Sequence, residues 1–150
     1  MVDFIIRHLE VPEIYNYIAE NDQMFKPPMS ARLNILNYAK KLNAFAVHFC
    51  AYQESDLVGF SGCYFNNMET RVGFISTLSV IRKFQGMGVA KGLLTSIEEY
   101  ATKKEFNQIN LQAFIFNLSA IKLYSESGFI EISRNASLAE MSLNLKHSIK

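Results

Sequence analysis

The sequence predicts a single mixed α/β domain over residues 1–150, with a mixed central sheet flanked by helices. Three observations carry this. Strand-like runs at residues 45–52, 57–65 and 73–80 are joined by short polar turns, which implies an antiparallel meander. A strand, a glycine-containing turn, a helix and another strand follow one another from Gly73 to Phe116, and a connection of that length implies a parallel pair. No linker, repeat or low-complexity tract divides the 150 residues, and 49% of them are apolar, enough for one well-filled core.

The elements follow in order. Phe4, Ile6 and His8 alternate with Ile5 and Arg7, the period of a first strand. Val11, Pro12 and Glu13 open a helix, with proline at an early position where its missing N–H is no loss. Ile14, Tyr15, Ile18 and Ala19 give that helix a face. Residues 21–30 break the pattern with Pro27 and Pro28, after which Ser30 is placed to cap a second helix marked by Leu33, Leu36 and Ala39. Phe45, Val47, Phe49 and Ala51 then share one face of a strand. Residues 53–56 form a hairpin turn, 57–65 return, and 66–69 turn into the central strand. Val89, Leu93, Ile97 and Tyr100 recur at helical spacing, leaving Lys91, Glu98 and Glu99 for solvent. Lys103 and Lys104 suit the C-terminal end of that helix. A strand spans 108–116. Asn117 caps a short helix over 118–127, and Gly128 supplies the left-handed residue that stops it. A strand at 129–132, a turn at 134–137 and a last strand with Met141, Leu143 and Leu145 on one face complete the order β-α-α-β-β-β-α-β-α-β-β.

Composition removes several classes of function. Fifteen basic and 14 acidic residues leave a net charge of +1, so no global field favours nucleic acid or an anionic membrane. No apolar run is long enough to span a bilayer, and Met1 to Arg7 lacks the features of a signal peptide. Cys50 and Cys63 show no metal-ligand spacing and read as reduced strand cysteines. The expectation is a cytoplasmic protein, monomeric or homodimeric, with no metal, nucleic-acid or membrane partner.

The chain is organised around the segment from Gly73 to Ala101. Between its strand and its helix stand Gln85, Gly86, Met87, Gly88, Val89 and Ala90. Glycine has no Cβ to hold an anion off, and the first N–H groups of a helix lack internal partners, so a phosphate or pyrophosphate suits this turn. A P-loop would need Gly-Lys followed by Ser or Thr, which is absent. A dinucleotide fingerprint would need a third glycine at position 91, where Lys91 stands and Gly92 follows. The order Gln85, Gly88, Ala90 instead resembles the acyl-coenzyme A loop of the GCN5-related N-acetyltransferases, the GNAT superfamily. In that pattern Gln or Arg is followed by two free positions, Gly, one free position, and Gly or Ala. The approach through Leu78, Ser79 and Val80 and the exit through Leu93 and Leu94 are similar to that family. So is the downstream run of Asn117, Ala120, Leu123, Tyr124, Gly128 and Phe129 at the spacing of the family's second signature.

The resemblance implies a GNAT fold, acetyl-CoA as cosubstrate, and acetyl transfer to the primary amine of a small molecule or peptide. It implies that Leu78, Ser79, Val80, Gln85, Gly86, Met87, Gly88, Val89, Ala90, Asn117 and Ala120 flank coenzyme A, and that Tyr124 lies near the thioester sulfur. Asn117 is also an excellent helix cap, and Tyr124 also fits as a half-buried aromatic. Acyl transfer needs a deprotonated amine, a stabilised carbonyl oxygen and a protonated or hydrogen-bonded leaving thiolate. The resemblance assigns the second to a backbone N–H near Leu78, where the central strand splays from the strand carrying Gln112 to Phe114, and the third to Tyr124. Arg82, Lys83 and Lys91 lie close enough in sequence to reach phosphates.

The first demand is where the sequence departs from the family. Many members carry Glu or Asp on the central strand at the position of Ser76, which Thr77 follows here. His48, Glu69, Tyr64, or water held by Ser76 and Thr77 are the alternatives as base. No Ser/His/Asp order or Cys/His pair suggests a nucleophile, so direct transfer is expected. Acceptor choice is expected from residues 21–30 and 66–71, with Met24, Phe25 and Met68 forming an apolar rim. The missing carboxylate keeps a second reading open, a non-catalytic acyl-CoA-binding or partner-binding module. A nucleotide-binding domain using Gly86 and Gly88 is a third.

Overall fold

The structure is a computed structural model that describes residues 1–145. Seven strands form one sheet in the order β1-β2-β3-β4-β5-β7-β6, and four α-helices cover it. They are β1 (Val2–Ile6), α1 (Val11–Glu20), α2 (Ile35–Phe45), β2 (Val47–Gln53), β3 (Asp56–Tyr64) and β4 (Val72–Val80). After them come α3 (Val89–Lys103), β5 (Gln108–Phe114), α4 (Leu118–Glu126), β6 (Ile130–Arg134) and β7 (Leu138–Asn144). The meander β2-β3-β4 is antiparallel and the β4–β5 pair is parallel, as expected. The other pairs, β1–β2, β5–β7 and β6–β7, are antiparallel.

Two apolar layers sandwich the sheet. On one side Val89, Leu93, Ile97 and Ala101 of α3 pack with Phe49, Ile75, Ile109 and Leu111 of the strands. On the other, Ile14 and Ile18 of α1 and Ala39 and Leu42 of α2 pack on Cys50 and Phe60. Gly92 explains itself here. A Cβ at that position would stand 2.2 Å from the ring of Phe4, so its missing side chain lets β1 close over α3.

Several boundaries differ from the sequence reading, each for a local reason. Ser30 does not cap α2. Its hydroxyl and N–H both bond the Asp22 carboxylate, at 2.5 and 3.0 Å, and so close the 22–30 loop. Asn34 takes the cap instead, accepting from the Asn37 N–H at 2.9 Å. Leu33 therefore lies ahead of the helix. Phe45 ends α2 and is 62% exposed, so it does not share the strand face of Val47, Phe49 and Ala51. β5 stops at Phe114, leaving Phe116 in the turn, and β6 begins one residue late and runs through Arg134. His8 falls beyond β1.

Candidate active site

The cleft arises because the central sheet comes apart. β4 and β5 pair only from Val72↔Gln108 to Ile75↔Leu111. Beyond that, β4 stays with β3 up to Val80↔Gly59, and β5 stays with β7 up to Phe114↔Leu138. The point of departure is a bulge. Gly62 faces Thr77 and Cys63 faces Ile75, leaving Ser76 as an extra residue on β4. A bulge bends its strand and sharpens the twist, and here it turns the end of β4 away from β5. The parted strands enclose a cleft of about 740 Å³. Main-chain groups that would have paired the strands face this opening.

The α3 side of the cleft is built from main chain. Gly86 and Gly88 take φ +79° and +82°, and a Cβ on either would meet nothing within 4 Å. The turn is therefore open to solvent on the side where a ligand would approach. The first internal hydrogen bond of α3 runs from Gly92 N–H to Gly88 C=O at 3.0 Å, and no side chain caps the helix. The N–H groups of Val89, Ala90 and Lys91 precede that bond, at the positive end of the helix dipole. Gln85 holds the loop in place, its side-chain amide donating to the Val80 carbonyl at 2.9 Å.

Of the residues that the resemblance singled out, Leu78, Ser79, Val80, Gln85, Gly86, Gly88, Val89, Ala90, Asn117, Ala120 and Tyr124 all line the cleft. Met87 does not, being 68% exposed between the two glycines. Arg82 and Lys83 also lie outside the lining, and Arg82 donates to the Gln23 carbonyl at 3.4 Å. Lys91 is the cation of this side that lines the cleft. Asn117 is a cap, its Oδ1 accepting from Ala120 N–H at 3.3 Å and from the Ser119 hydroxyl at 3.2 Å. Tyr124 packs edge-on against Phe129 and is nearly buried. Burial pushes its phenol up to about 12.

The α2 side is built from side chains. Tyr38 of α2 meets the bulge residue, its hydroxyl 2.5 Å from Ser76 Oγ. Burial pushes the Tyr38 phenol up to about 12, against the opposing effects of the Ser76 hydrogen bond and the Arg32 charge. The Tyr64 hydroxyl is buried near Ser76 but makes no hydrogen bond of ordinary geometry, and Lys41 sits over its ring at 5.5 Å. Arg32 lies over the Phe114 ring at 5.2 Å, bridging from α2's approach to the end of β5. Met24, Phe25, Lys26 and Met29 complete the rim. Residues 21–30 thus border the cleft as expected, whereas none of residues 66–71 does. That turn, Met68 included, precedes β4, at the far end of the strand from the opening.

The alternative bases separate clearly. His48 Nδ1 accepts from Leu9 N–H at 2.8 Å, so Nε2 carries the proton and donates to the Leu42 carbonyl, also at 2.8 Å. Both nitrogens are occupied in the core, and burial holds the ring's pKa below its usual value. Glu69 is exposed in the distant 66–71 turn. Ser79 is engaged too, its hydroxyl 3.0 Å from that of Tyr17. Thr77 is nearly buried and its carbonyl accepts from Ser61 Oγ at 2.6 Å. Sequence reading missed Tyr38 and Arg32, while the resemblance had already pointed to Gln112 and Phe114 as the stretch of strand from which β4 splays. Tyr38 had no signal beyond its place in a helix, since its meaning comes from the strand that it crosses. Among the described residues, no cluster of His, Cys, Asp and Glu could hold a metal ion.

A mixed sheet parted beside a glycine-opened helix is the acetyltransferase architecture that the sequence resembles. The chain belongs to the acetyltransferase (GNAT) family, whose model matches residues 11–129. Over 87 residues it is 30% identical to the N-alpha-acetyltransferase MAK3 of Arabidopsis thaliana, covering 57% of this chain and 46% of that protein. The match thus spans about half of that relative's length. The ribosomal-protein alanine N-acetyltransferase of Escherichia coli shares the fold with a TM-score of 0.79 at 19% identity, covering 99% of this chain and 97% of that one. So does the PaiA N-acetyltransferase of Thermoplasma acidophilum, solved with coenzyme A, with a TM-score of 0.76 at 17% identity over 95% of this chain and 99% of that one.

Proposed function

We propose that the protein moves an acetyl group directly from acetyl-CoA to the primary amine of a small molecule or peptide. The observation that carries this reading is the parting of β4 and β5 beside an uncapped helix start whose glycines leave open space for an anion. That cradle fits a pyrophosphate, and the gap between the strands fits a narrow pantetheine arm. The presence of coenzyme A in the PaiA structure supports the same assignment.

In this reading the N–H groups of Gly88, Val89, Ala90 and Lys91 hold the pyrophosphate, and the Lys91 ammonium adds a solvated charge. Asn117 and Ala120 border the arm. The cosubstrate supplies the activated thioester carbonyl. A main-chain N–H near Leu78, freed by the parting of the strands, donates to the carbonyl oxygen as charge grows there. The Tyr124 hydroxyl donates to the departing sulfur, and its raised pKa keeps the proton in place at neutral pH. The amine nitrogen bonds to the acetyl carbon, the C–S bond breaks, one N–H proton leaves the nitrogen, and one proton joins the sulfur.

The test is coenzyme A release from acetyl-CoA across a panel of amines, with acetyl-CoA binding measured by calorimetry. Amine-dependent release with binding in the micromolar range is the expected result. Binding with no release on any amine favours the non-catalytic module that the missing carboxylate at Ser76 kept open. No binding at all overturns the reading.

A further inference from the structure

We propose that Ser76, held in place by the Tyr38 hydroxyl, receives the acceptor as a neutral amine, so that the enzyme acts on weakly basic amines such as the α-amine of an amino acid or peptide, and discriminates against lysine side chains and polyamines. The inference rests on the transferase reading and deepens it.

Ser76 stands where the resemblance leads one to expect a carboxylate, and the structure shows what that serine does. The bulge turns Ser76 toward α2, where its oxygen lies 2.5 Å from the Tyr38 hydroxyl. A serine oxygen has two lone pairs and one proton, so whichever hydroxyl donates, Ser76 keeps a lone pair for an amine N–H. It offers that acceptor without a negative charge. An ammonium entering here would lose water and gain no counter-ion, which is a strongly unfavourable exchange in a half-enclosed site.

The groups around the pair act in the same direction. From α2 and its approach, Arg32 and Lys26 line the cleft and Lys41 covers Tyr64. From β3, Tyr64 faces the pair, its pKa raised through burial so that it is neutral at physiological pH, whereas its neighbour Cys63 packs in the core on the α3 side. From the far side, Glu140 of β7 stands in register with Gln112 of β5, outside the cleft lining, and accepts from the Ser133 hydroxyl at 3.1 Å. Glu126, at the end of α4, is the acid that does line the cleft. The α2 side therefore holds cations and hydroxyls, an environment that raises the cost of a second positive charge.

Acid-base arithmetic turns this into selectivity. With α-amines near pKa 7.8 and lysine near 10.4, the neutral fractions at pH 7.5 differ by about 300-fold. Greater nucleophilicity of the more basic amine offsets part of that.

The experiment compares glycinamide with n-butylamine on the wild-type enzyme. The kcat/KM of each should rise about tenfold per pH unit and level off at that amine's own pKa, with glycinamide preferred by at least about tenfold at pH 7.5. A shared midpoint between pH 6 and 8 that does not move with the amine would reveal an enzyme base and overturn the proposal. Calorimetry on the coenzyme A complex in buffers of different ionisation heat reads it without turnover. Binding of n-butylamine at pH 7 should release about one proton, and release of none overturns it. These two measurements separate it from the transferase reading, which falls only if acetyl-CoA fails to bind or no amine is acetylated. Ser76→Glu should raise relative turnover of n-butylamine at pH 7. Tyr38→Phe should lower kcat/KM for both amines without moving either midpoint. Glu140→Gln should change neither midpoint, and a lost acidic limb in that variant would assign the base to Glu140 and sink the idea.

Discussion

The α3 side of the cleft presents main-chain N–H groups, and the α2 side presents hydroxyls and cations on side chains. The first is fixed by backbone geometry at Gly86 and Gly88 and by the start of a helix, so most substitutions around it leave the donors in place. The second depends on which residues α2 and the 21–30 segment happen to carry, so one substitution changes what it recognises. A cosubstrate common to a whole family suits the first kind of surface. An acceptor that differs from one member to the next suits the second.

This contrast can be broken at named positions. The largest expected effect is at Tyr124, which lines the cleft from α4. Tyr124→Phe should keep the fold and most acetyl-CoA affinity while lowering kcat by about tenfold to a thousandfold, the range for one positioned acid. The deficit should shrink for an acyl donor with a more acidic thiol. A silent Phe variant would reject the acid role. Next is Gly88→Asp, which places a negative charge at the helix start and a side chain at φ +82°. Its dissociation constant for acetyl-CoA should rise by about a hundredfold, roughly 2.8 kcal/mol, in calorimetry on the folded variant. Unchanged affinity would remove the pyrophosphate from this loop.

Smaller effects should sort by side. Lys91→Ala should weaken acetyl-CoA by about threefold at low salt and by less at high salt, as an exposed charge does. Arg32→Ala should leave acetyl-CoA affinity within about twofold and act on acceptor KM. If the two swapped behaviour, the division between the sides would be wrong. The smallest effect is a stability one under α2. His48 has a folded pKa below its unfolded value near 6.5, so the unfolded chain binds the extra proton first as pH falls. The stabilisation is present above about pH 6.5 and lost below it, and a melting temperature that fell between pH 7 and 5 would register it.

The same contrast explains what the sequence made legible. The glycine turn, the Asn117 cap and most of the strand alternation are local, so Gln85, Gly88, Asn117 and the order of elements could be read from neighbours in the chain, whereas the expected Ser30 cap gave way to a contact with Asp22. The role of Gln85 was nevertheless only half visible. Its side chain ties the loop back to Val80, a use that spacing does not reveal. The parting of β4 from β5 was expected near Leu78 through the resemblance, but its cause, the extra residue at Ser76, depends on pairing with β3. Tyr38 and Ser76 are 38 residues apart. No local pattern joins them, so the chemistry of the acceptor side became legible only when α2 was laid across the sheet. His48 failed as a base for the same reason, since its partners Leu9 and Leu42 come from different elements.

The burial of the two thiols has a practical side. Cys50 and Cys63 are fully buried, and burial pushes both up to about 12, so neither supplies a reactive thiolate in the folded protein. A disulfide reagent that reports free thiol by colour should therefore stay colourless with the native enzyme and develop only as coenzyme A is set free. The fold thus supplies its own blank for a continuous assay, and a slow colour change with neither acetyl-CoA nor acceptor present becomes a direct reading of local unfolding around β2 and β3.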